Sequence, residues 1–248
     1  MAIECARAGA KLIISARREA ELNELASRLR ETAETQEVSV LAIDVAEHRL
    51  TEQRVAEAAA IHGRIDILIN NAGISQRSLV RDLSFDVANK VVQTDLLGVI
   101  DLTIAALKYM NRAQRGHLVV TSSVMGKITT PYRSAYCAAK FGLHGFFSAL
   151  YAESKKENIQ VTILVPGRVN TDISVNALTG QGERQGVTDS GISIGLSAEK
   201  AARLALTAIA KGKFEYYFAL TPLLRVGLFL NRFMPCLYRK LISRIRVT

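Results

Sequence analysis

The fold is decided by residues 117–140, which read HLVVTSSVMGKITTPYRSAYCAAK. The apolar run His117–Thr121 is short and is followed by two serines, which is typical of a strand buried on both faces of a parallel sheet. A helical pattern then begins at Ser134 and continues to about Glu157. Since open α/β sheets bind ligands at the C-terminal ends of their strands, Ser123 is a candidate site residue.

Tyr136 and Lys140 are four residues apart on this predicted helix, so their side chains share one face. A lysine ammonium beside a phenol favours the phenolate, which suits the tyrosine to moving a proton to or from a carbonyl oxygen. Ser123 is placed to orient that oxygen. Tyr151 and Lys155 have the same spacing but lie about 22 Å further along the helix axis. No serine stands thirteen residues before Tyr151, so we interpret that pair as structural or solvated.

Strand and helix patterns alternate along most of the chain. Strands are predicted over Lys11–Ser15, Val38–Ile43, Ile65–Ile69, His117–Thr121, Gln160–Val165 and Phe214–Phe218. Helices are predicted over Ala2–Ala8, Arg18–Ala33, Arg49–His62, Ser84–Asn111, Ser134–Glu157 and Ser197–Lys211. This alternation predicts one α/β domain, residues 1–219, built on a Rossmann-like doubly wound parallel sheet.

Four motifs, in this order, resemble those of the short-chain dehydrogenase/reductase family. They are Asn70-Asn71-Ala72-Gly73, Ser123, Tyr136-x-x-x-Lys140 and Pro166-Gly167-x-x-x-Thr171. The resemblance covers nearly everything from Ala2 to about Phe218. It implies an oxidoreductase that interconverts a carbonyl and an alcohol by hydride transfer. It also implies that Tyr136 is the general acid/base, that Lys140 holds the nicotinamide ribose as well, and that Ser123 positions the substrate.

The resemblance further implies a set of cofactor contacts: Asn71, Ala72, Gly73, Pro166, Gly167, Val169 and Thr171. Asp44 resembles the family residue beside the adenine, and its alternative role is to cap the helix that follows. Arg17 and Arg18 follow the first strand, where this fold meets the adenosine ribose. Arginine suits a 2′-phosphate, so NADP(H) is preferred over NAD(H). The alternative is that both arginines solvate a helix start.

Asp95 departs from the family pattern, which usually has Asn twenty-four residues beyond Asn71. A carboxylate still accepts a hydrogen bond from the water that links the lysine to solvent. Its charge favours the ammonium of Lys140 and opposes the phenolate of Tyr136. Asp95 is therefore a candidate catalytic residue, and the alternative to an enzyme is a catalytically silent protein that keeps the nucleotide-binding fold.

Family members open with a strand and a Gly-rich turn, whereas Ala2–Ala8 matches only the helix that follows them. We expect the central strand to be missing, which leaves a slot between strands Lys11–Ser15 and Ile65–Ile69. We also expect residues 1–248 alone to be poorly stable, to bind dinucleotide weakly and to be inactive.

The tail, residues 220–248, is strongly basic. It carries six of the chain's net nine positive charges and no acid: Arg225, Arg232, Arg239, Lys240, Arg244 and Arg246. Leu224, Leu228, Leu237, Leu241 and Ile245 supply apolar positions, which predicts an amphipathic basic helix broken near Pro235. Such a helix lies on an anionic membrane, or packs on its own domain or a second subunit. The apolar tail also suggests a lipophilic substrate.

Other classes of protein are disfavoured. Cys5, Cys137 and Cys236 are scattered, which fits reduced thiols in the cytoplasm, and the four histidines show no metal-ligand spacing. No motif for nucleic-acid recognition accompanies the charge. Gly180-Gln-Gly182 lies in the long loop Thr179–Ile194, which is either a substrate-covering lid or a solvated surface loop. The resemblance implies a homodimer or homotetramer.

Overall fold

The computed structural model describes residues 1–32, 37–110, 116–154, 156–189 and 191–244. Lys155 of the second tyrosine–lysine pair lies outside the described residues, as do Ile245 and Arg246 of the tail. The predicted helix ends at Ala33 and Asn111 also lie outside them.

The observed elements follow the predicted alternation of strands and helices. The helices are α1 (Ala2–Arg7), α2 (Glu19–Thr32), α3 (Thr51–His62), α4 (Phe85–Val92), α5 (Gly98–Leu107), α6 (Ser134–Ser154), α7 (Ala198–Ala210), α8 (Pro222–Phe233) and α9 (Pro235–Ile242). The strands are β1 (Leu12–Ile14), β2 (Val38–Val40), β3 (Ile67–Asn70), β4 (Gly116–Thr121), β5 (Ile159–Pro166), β6 (Val169–Asn170), β7 (Leu196–Ser197) and β8 (Glu215–Phe218).

All paired strands are parallel, and the main sheet is in two parts. Four strands pair in the order β3-β4-β5-β8, while β1 pairs with β2. Within the described ranges β1 pairs with β2, β3 pairs with β4, and no strand pairs with both β1 and β3. The slot between these two strands stays a prediction. The short pair β6–β7 was not predicted, because two-residue strands are too short to show a periodic pattern.

Helices cover both faces of the central strands. On one face Leu118 and Ile163 pack with Leu143 and Phe147 of α6. On the other face, Val119 and Leu164 pack with small residues of α7. Because β4 and β5 are buried on both faces, their apolar runs are continuous rather than alternating. Because β4 and β5 are parallel neighbours, their C-terminal ends lie at the same edge of the sheet.

The predicted helix Ser84–Asn111 is observed as one uninterrupted helical run over residues 85–107, but the run is not α-helical throughout. A π-helical turn, Gln93–Leu97, separates α4 from α5. A π turn inserts one extra residue into the helical ladder, and such turns are frequent at functional sites. Asp95 lies in this turn and is completely buried. Hydrophobic periodicity does not register a single inserted residue, so the sequence pattern missed the π turn.

The tail forms two helices that meet at Pro235, as predicted. One side of them packs on the domain, where Tyr238 forms a buried cluster with Val124 and Ile128. The Tyr238 hydroxyl donates to the carbonyl oxygen of Thr129 at 2.5 Å, and Asn231 donates to that of Lys127 at 2.9 Å. Among the described residues, no helix is both long enough and apolar enough to cross a membrane.

Candidate active site

A cavity of about 890 Å³ opens at the C-terminal ends of β4 and β5. Its volume is typical of a small-molecule or cofactor site. Ten of the site residues predicted from the sequence line it: Arg18, Asn71, Gly73, Ser123, Tyr136, Lys140, Pro166, Gly167, Val169 and Thr171. Arg17, Asp44, Ala72 and Asp95 are not part of the lining. The fold thus brings together side chains that are up to about 150 residues apart in the chain.

The predicted tyrosine–lysine pair lies on the buried face of α6. The Lys140 ammonium nitrogen is 5.5 Å from the centre of the Tyr136 ring. Lys140 Nζ donates to the carbonyl oxygen of Thr121 at 3.2 Å, and the backbone N–H of Tyr136 donates to Gln76 Oε1 at 3.1 Å. These bonds fix the first turns of α6 against β4 and against the loop after β3. Tyr136 and Lys140 are therefore held in one geometry at the cavity wall.

Asp95 contacts Lys140 but does not itself line the cavity. Asp95 Oδ2 lies 3.1 Å from Lys140 Nζ, and Asp95 Oδ1 accepts the backbone N–H of Ile74 at 2.7 Å. Burial raises the pKa of Asp95 above its ordinary value, although Lys140 opposes the rise. Burial lowers the pKa of Lys140, but Asp95 and Tyr136 together raise it above its ordinary value. Lys140 is thus held as an ammonium ion despite its complete burial.

Gly73 explains how this pair is accommodated. A Cβ atom at position 73 would lie 3.1 Å from Asp95 Oδ2 and 3.4 Å from Lys140 Nζ. Glycine therefore leaves room for the pair, and this is a structural reason for the glycine of the Asn70–Gly73 turn. An ammonium carries three N–H donors, and Lys140 uses its contacts with Asp95 and Thr121 for two. One donor remains for a ligand hydroxyl, which fits a nicotinamide ribose.

Ser123 follows β4 in extended conformation. Its side-chain oxygen accepts the backbone N–H of Met125 at 3.1 Å. Ser122 Oγ donates to the carbonyl oxygen of Lys140 at 3.3 Å, and Thr121 Oγ1 donates to Asn71 Oδ1 at 3.0 Å. Side chains at the end of β4 are therefore tied to α6 and to the turn after β3. Ser123 keeps its hydroxyl hydrogen for a ligand in the cavity.

The Pro166–Gly167 turn is fixed by the end of β8. The Gly167 N–H donates to Phe218 and the Arg168 N–H to Ala219, each at 2.9 Å. A Cβ at position 167 would overlap the carbonyl oxygen of Ala219, so only glycine fits. Thr171 follows on the cavity wall and is exposed. The predicted nicotinamide-side residues thus lie together on the cavity wall.

The residues predicted to meet the adenosine end are all exposed. Arg18 forms a 2.8 Å ion pair with Glu21 at the start of α2, and it alone of the two arginines lines the cavity. Asp44 Oδ1 accepts the backbone N–H of Ala46 at 3.0 Å. Glu47, rather than Asp44, caps the short 3-10 turn that leads into α3. The capping alternative for Asp44 is therefore wrong.

Sequence reasoning missed three charged residues at the cavity wall. Arg77 binds Asp189 through Nε at 3.1 Å and Nη2 at 2.7 Å, and Arg133 Nη2 binds the same carboxylate at 2.6 Å. Burial alone would raise the pKa of Asp189, but hydrogen bonds from Arg77 and Gln185 and the charge of Arg133 lower it to about 2. No local pattern connects residues 77, 133 and 189, so only the position of Arg133 beside Tyr136 was a signal.

Cys137 and the Gly180–Gly182 turn, to which the sequence analysis assigned no catalytic role, are packed against the rest of the fold. Burial raises the pKa of the Cys137 thiol, which keeps it protonated and unreactive. The carbonyl oxygen of Gly180 accepts the backbone N–H of Ser84 at 2.9 Å, so the Gly180–Gly182 turn packs against the start of α4. The long loop lines the cavity with Asp189, Gly191 and Ile192, and its role as a lid stays a prediction. In the part of the chain that the structure describes, no group of three or more His, Cys, Asp or Glu could hold a metal ion.

Comparisons with known proteins agree with this geometry. The short chain dehydrogenase family matches residues 1–182. The Bos taurus protein "Dehydrogenase/reductase SDR family member 7B" is 36% identical over 97% of this chain and 76% of its own length.

Two solved structures are similar to the chain. A short-chain dehydrogenase/reductase from Burkholderia phymatum in complex with NAD has a TM-score of 0.81 and 21% identity, over 100% of this chain and 90% of that one. A gluconate 5-dehydrogenase from Burkholderia cenocepacia in complex with NADP and tartrate has a TM-score of 0.73 and 25% identity, over 86% of this chain and 85% of that one. With the family match and the cavity geometry, they lead to one conclusion: the chain belongs to the short-chain dehydrogenase/reductase family of oxidoreductases.

Proposed function

We propose that the protein is an NADP(H)-dependent carbonyl reductase or alcohol dehydrogenase in which Tyr136 is the general acid/base. The observation that carries the proposal is the buried Tyr136–Lys140 pair at the wall of a cavity that also presents Ser123. A phenol, an ammonium and a hydroxyl are the groups needed to hold a carbonyl oxygen and exchange a proton with it. The Cys137 thiol is buried and protonated, so nucleophilic catalysis at that residue is disfavoured.

Each side chain has a separate task in this mechanism. The Ser123 hydroxyl donates to the substrate oxygen and holds it near Tyr136. In reduction the Tyr136 hydroxyl donates its proton to that oxygen, and in oxidation the phenolate takes the proton back. Lys140 stabilises the phenolate through its charge. A bound nicotinamide cofactor supplies or accepts the hydride. Lys140 and the cavity-lining residues Asn71, Gly73, Gly167, Val169 and Thr171 are the groups that would hold it.

The expectation that residues 1–248 alone are inactive is tested first, by measuring NADPH binding and turnover of the parent protein. Replacing Tyr136 then tests the mechanism. Tyr136→Phe removes the proton donor but little volume, so turnover should be abolished while NADPH binding changes less than about twofold. Tyr151→Phe is the control, because Tyr151 is partly exposed and packs against Phe214 with ring centres 4.2 Å apart. It should retain full turnover. A carbonyl substrate still reduced at the parental rate by Tyr136→Phe would contradict the assignment. NADPH binding without turnover of any carbonyl or alcohol would favour the catalytically silent alternative.

The preference for NADP(H) is supported by the two arginines after β1 and by Ala16, which leaves no acid to bind a 2′-hydroxyl. Arg18 lines the cavity. Similar structures hold NAD in one case and NADP in another, so the fold is compatible with both.

In calorimetry NADPH should bind at least about tenfold more tightly than NADH, which is a difference of about 1.4 kcal/mol in binding free energy. Arg17→Ala and Arg18→Ala should reduce that ratio, whereas the exposed Arg49→Ala should not. Equal affinities in the parent protein would refute the preference.

The substrate we propose is lipophilic, because α8 and α9 form an apolar wall of the cavity. That wall consists of Leu223, Leu224, Val226, Leu230, Leu241 and Ile242. Each buried methylene contributes about 0.8 kcal/mol, so kcat/KM should rise about fourfold per added carbon across a series of alkyl ketones. A flat series would contradict a lipophilic substrate.

We also propose that the outer side of α8 and α9 lies on an anionic membrane surface, which places the protein in the cytoplasm at a membrane periphery. We call the outward apolar side chains that do not line the cavity the tail surface: Phe229, Phe233, Met234 and Leu237. All of them are exposed, Phe233 to 68%. Cations on the same helices complement acidic lipids.

Vesicles containing phosphatidylserine should sediment the protein, and vesicles of pure phosphatidylcholine should not. Equal dimerisation with and without lipid would instead assign the tail surface to a second subunit of a homodimer or homotetramer.

A further inference from the structure

Arg133 lies three residues before Tyr136, so the two side chains are neighbours on one face at the start of α6. Both line the cavity. The Arg133 side chain is 15% exposed, and Asp189 is its hydrogen-bond partner within the described ranges, through Nη2. The remaining N–H groups of this guanidinium donate to no other described residue. A nearly buried cation thus lies one helical turn from the catalytic phenol.

The cluster that holds Arg133 has an excess of positive charge. Two guanidinium groups, Arg77 and Arg133, share the single carboxylate of Asp189, which leaves a net charge of one. Arg77 uses Nη1 for Ser75 Oγ and the Gln76 carbonyl oxygen, both at 2.7 Å, and neither neutralises it. Burial and the charge of Arg77 lower the pKa of Arg133, while Asp189 opposes this. One carboxylate therefore does not balance the two cations.

The other charges around Tyr136 do not supply such an excess. The Lys140 ammonium is offset by the Asp95 carboxylate 3.1 Å away, and this pair is buried. On α4, which packs against Tyr136, Asp86 and Lys90 are both exposed and carry opposite charges. Arg168 and Asp172 line the cavity as a further cation and anion. Among the described residues that surround Tyr136, the uncompensated charge therefore belongs to the Arg77–Asp189–Arg133 cluster.

We propose that this cluster, in which Arg133 immediately precedes α6, is a positioning group that stabilises the phenolate of Tyr136 electrostatically. Its charge adds to the stabilisation that Lys140 supplies, which the Asp95 carboxylate weakens. A net positive charge about one helical turn from a phenol, in a partly buried setting, favours the phenolate by about tenfold. The proposal rests on the proposed function, because the phenolate matters only where Tyr136 exchanges a proton.

The test follows the ionisation of Tyr136 directly, by NMR of the protein labelled with ¹³Cζ-tyrosine. The Tyr136 signal is the one that disappears in Tyr136→Phe. Arg133→Met and Arg77→Met each reduce the cluster charge to zero, so the titration midpoint of Tyr136 should rise by about one pH unit. Asp189→Asn raises the charge to two, so the midpoint should fall. Arg133→Lys keeps the charge and should stay close to the parent.

The direction in which the titration midpoint moves distinguishes an electrostatic role of the cluster from a purely structural one. Arg133→Met and Asp189→Asn break the same ion pair, so a purely structural role predicts that both move the midpoint in the same direction, and this result would overturn the proposal. If Asp189→Asn fails to fold, the contrast between Arg133→Met and Arg133→Lys decides: equal midpoints in these two variants would overturn the proposal.

The titration needs no substrate, so a failure of the proposed function appears separately, as absent turnover. Where turnover is found, the pH profile of kcat should move with the NMR midpoint while the KM for NADPH does not.

Discussion

Lys140 contacts a buried carboxylate on one side and a tyrosine ring on the other. Asp95 lies 3.1 Å from the ammonium, and the centre of the Tyr136 ring lies 5.5 Å from it. The carboxylate stabilises the ammonium but weakens its effect on the phenol. The balance between these two neighbours sets how strongly Lys140 would stabilise a phenolate at Tyr136. A substitution at Asp95 can alter this balance without changing a residue that lines the cavity.

Asp95→Asn tests this balance. The amide oxygen can still accept the Ile74 N–H, whereas the charge that opposes the phenolate is removed. Turnover should therefore be preserved or raised. Asp95→Ala is the matched control, since it leaves a buried ammonium without its acceptor and should lower the free energy of unfolding by about 3–5 kcal/mol. A large loss of kcat in Asp95→Asn, with stability retained, would mean that the carboxylate itself relays protons.

Asp189 gives a prediction for acid stability. Its pKa in the folded protein is about 2, below the ordinary value of 3.8, because Arg77, Gln185 and Arg133 outweigh burial. A carboxyl group with a depressed pKa stabilises the fold above its unfolded pKa, and this contribution is lost as the pH falls from about 4 through about 2. The parent should exceed Asp189→Asn by up to about 2 kcal/mol at neutral pH. Urea titrations from pH 7 to pH 2 should show the difference shrinking, and a constant difference would refute the assignment.

Element order was predictable because each strand and helix carries its own periodic pattern. The strand before Ser123 and the helix with Tyr136 were confirmed within a few residues. The π turn around Asp95 was missed, since a single inserted residue leaves the apolar periodicity nearly intact. The Arg77–Asp189 pair was missed because 112 residues separate the two partners. Contacts fixed only by tertiary packing were thus beyond sequence reasoning, whereas the chemistry carried by one helix was not.

Two glycines in helices give a prediction about how α5 packs. A Cβ at Gly98, the first residue of α5, would overlap the carbonyl oxygen of Val45. Gly98→Ala should therefore destabilise the protein by about 1–3 kcal/mol, although alanine favours helix. Gly145 lies on the exposed side of α6 with no atom within 4 Å of the added carbon. Gly145→Ala should stabilise by about 0.5–1 kcal/mol. Thermal unfolding measures both, and a destabilised Gly145→Ala would contradict this packing.

At the scale of the whole molecule, positive charge is concentrated at one end. The tail carries six of the net nine charges, and the tail surface places apolar side chains among them. Phe229 and Phe233 pack together there with ring centres 5.0 Å apart, and Phe229 is 57% exposed. An apolar patch surrounded by cations is typical of a surface that inserts into lipid headgroups.

The two components of this surface should be separable. Arg232→Glu combined with Arg239→Glu should abolish the preference for phosphatidylserine vesicles, and raising the salt concentration should do the same to the parent. Phe229→Ser combined with Phe233→Ser should weaken binding while leaving the salt dependence. Vesicle sedimentation at several ionic strengths measures both effects. Binding that is unchanged in the charge-reversed protein would contradict an electrostatic contact.

The hydrogen bonds from Asn231 to Lys127 and from Tyr238 to Thr129 join α8 and α9 to the segment that follows Ser123. A displacement of these helices would therefore move the backbone that follows Ser123. Thermodynamic linkage then makes the effect reciprocal: if attachment at the tail surface changes the affinity for substrate by some factor, a saturating substrate changes the affinity for that attachment by the same factor. If the tail surface does attach to a membrane, occupancy of the cavity would change the affinity of that attachment.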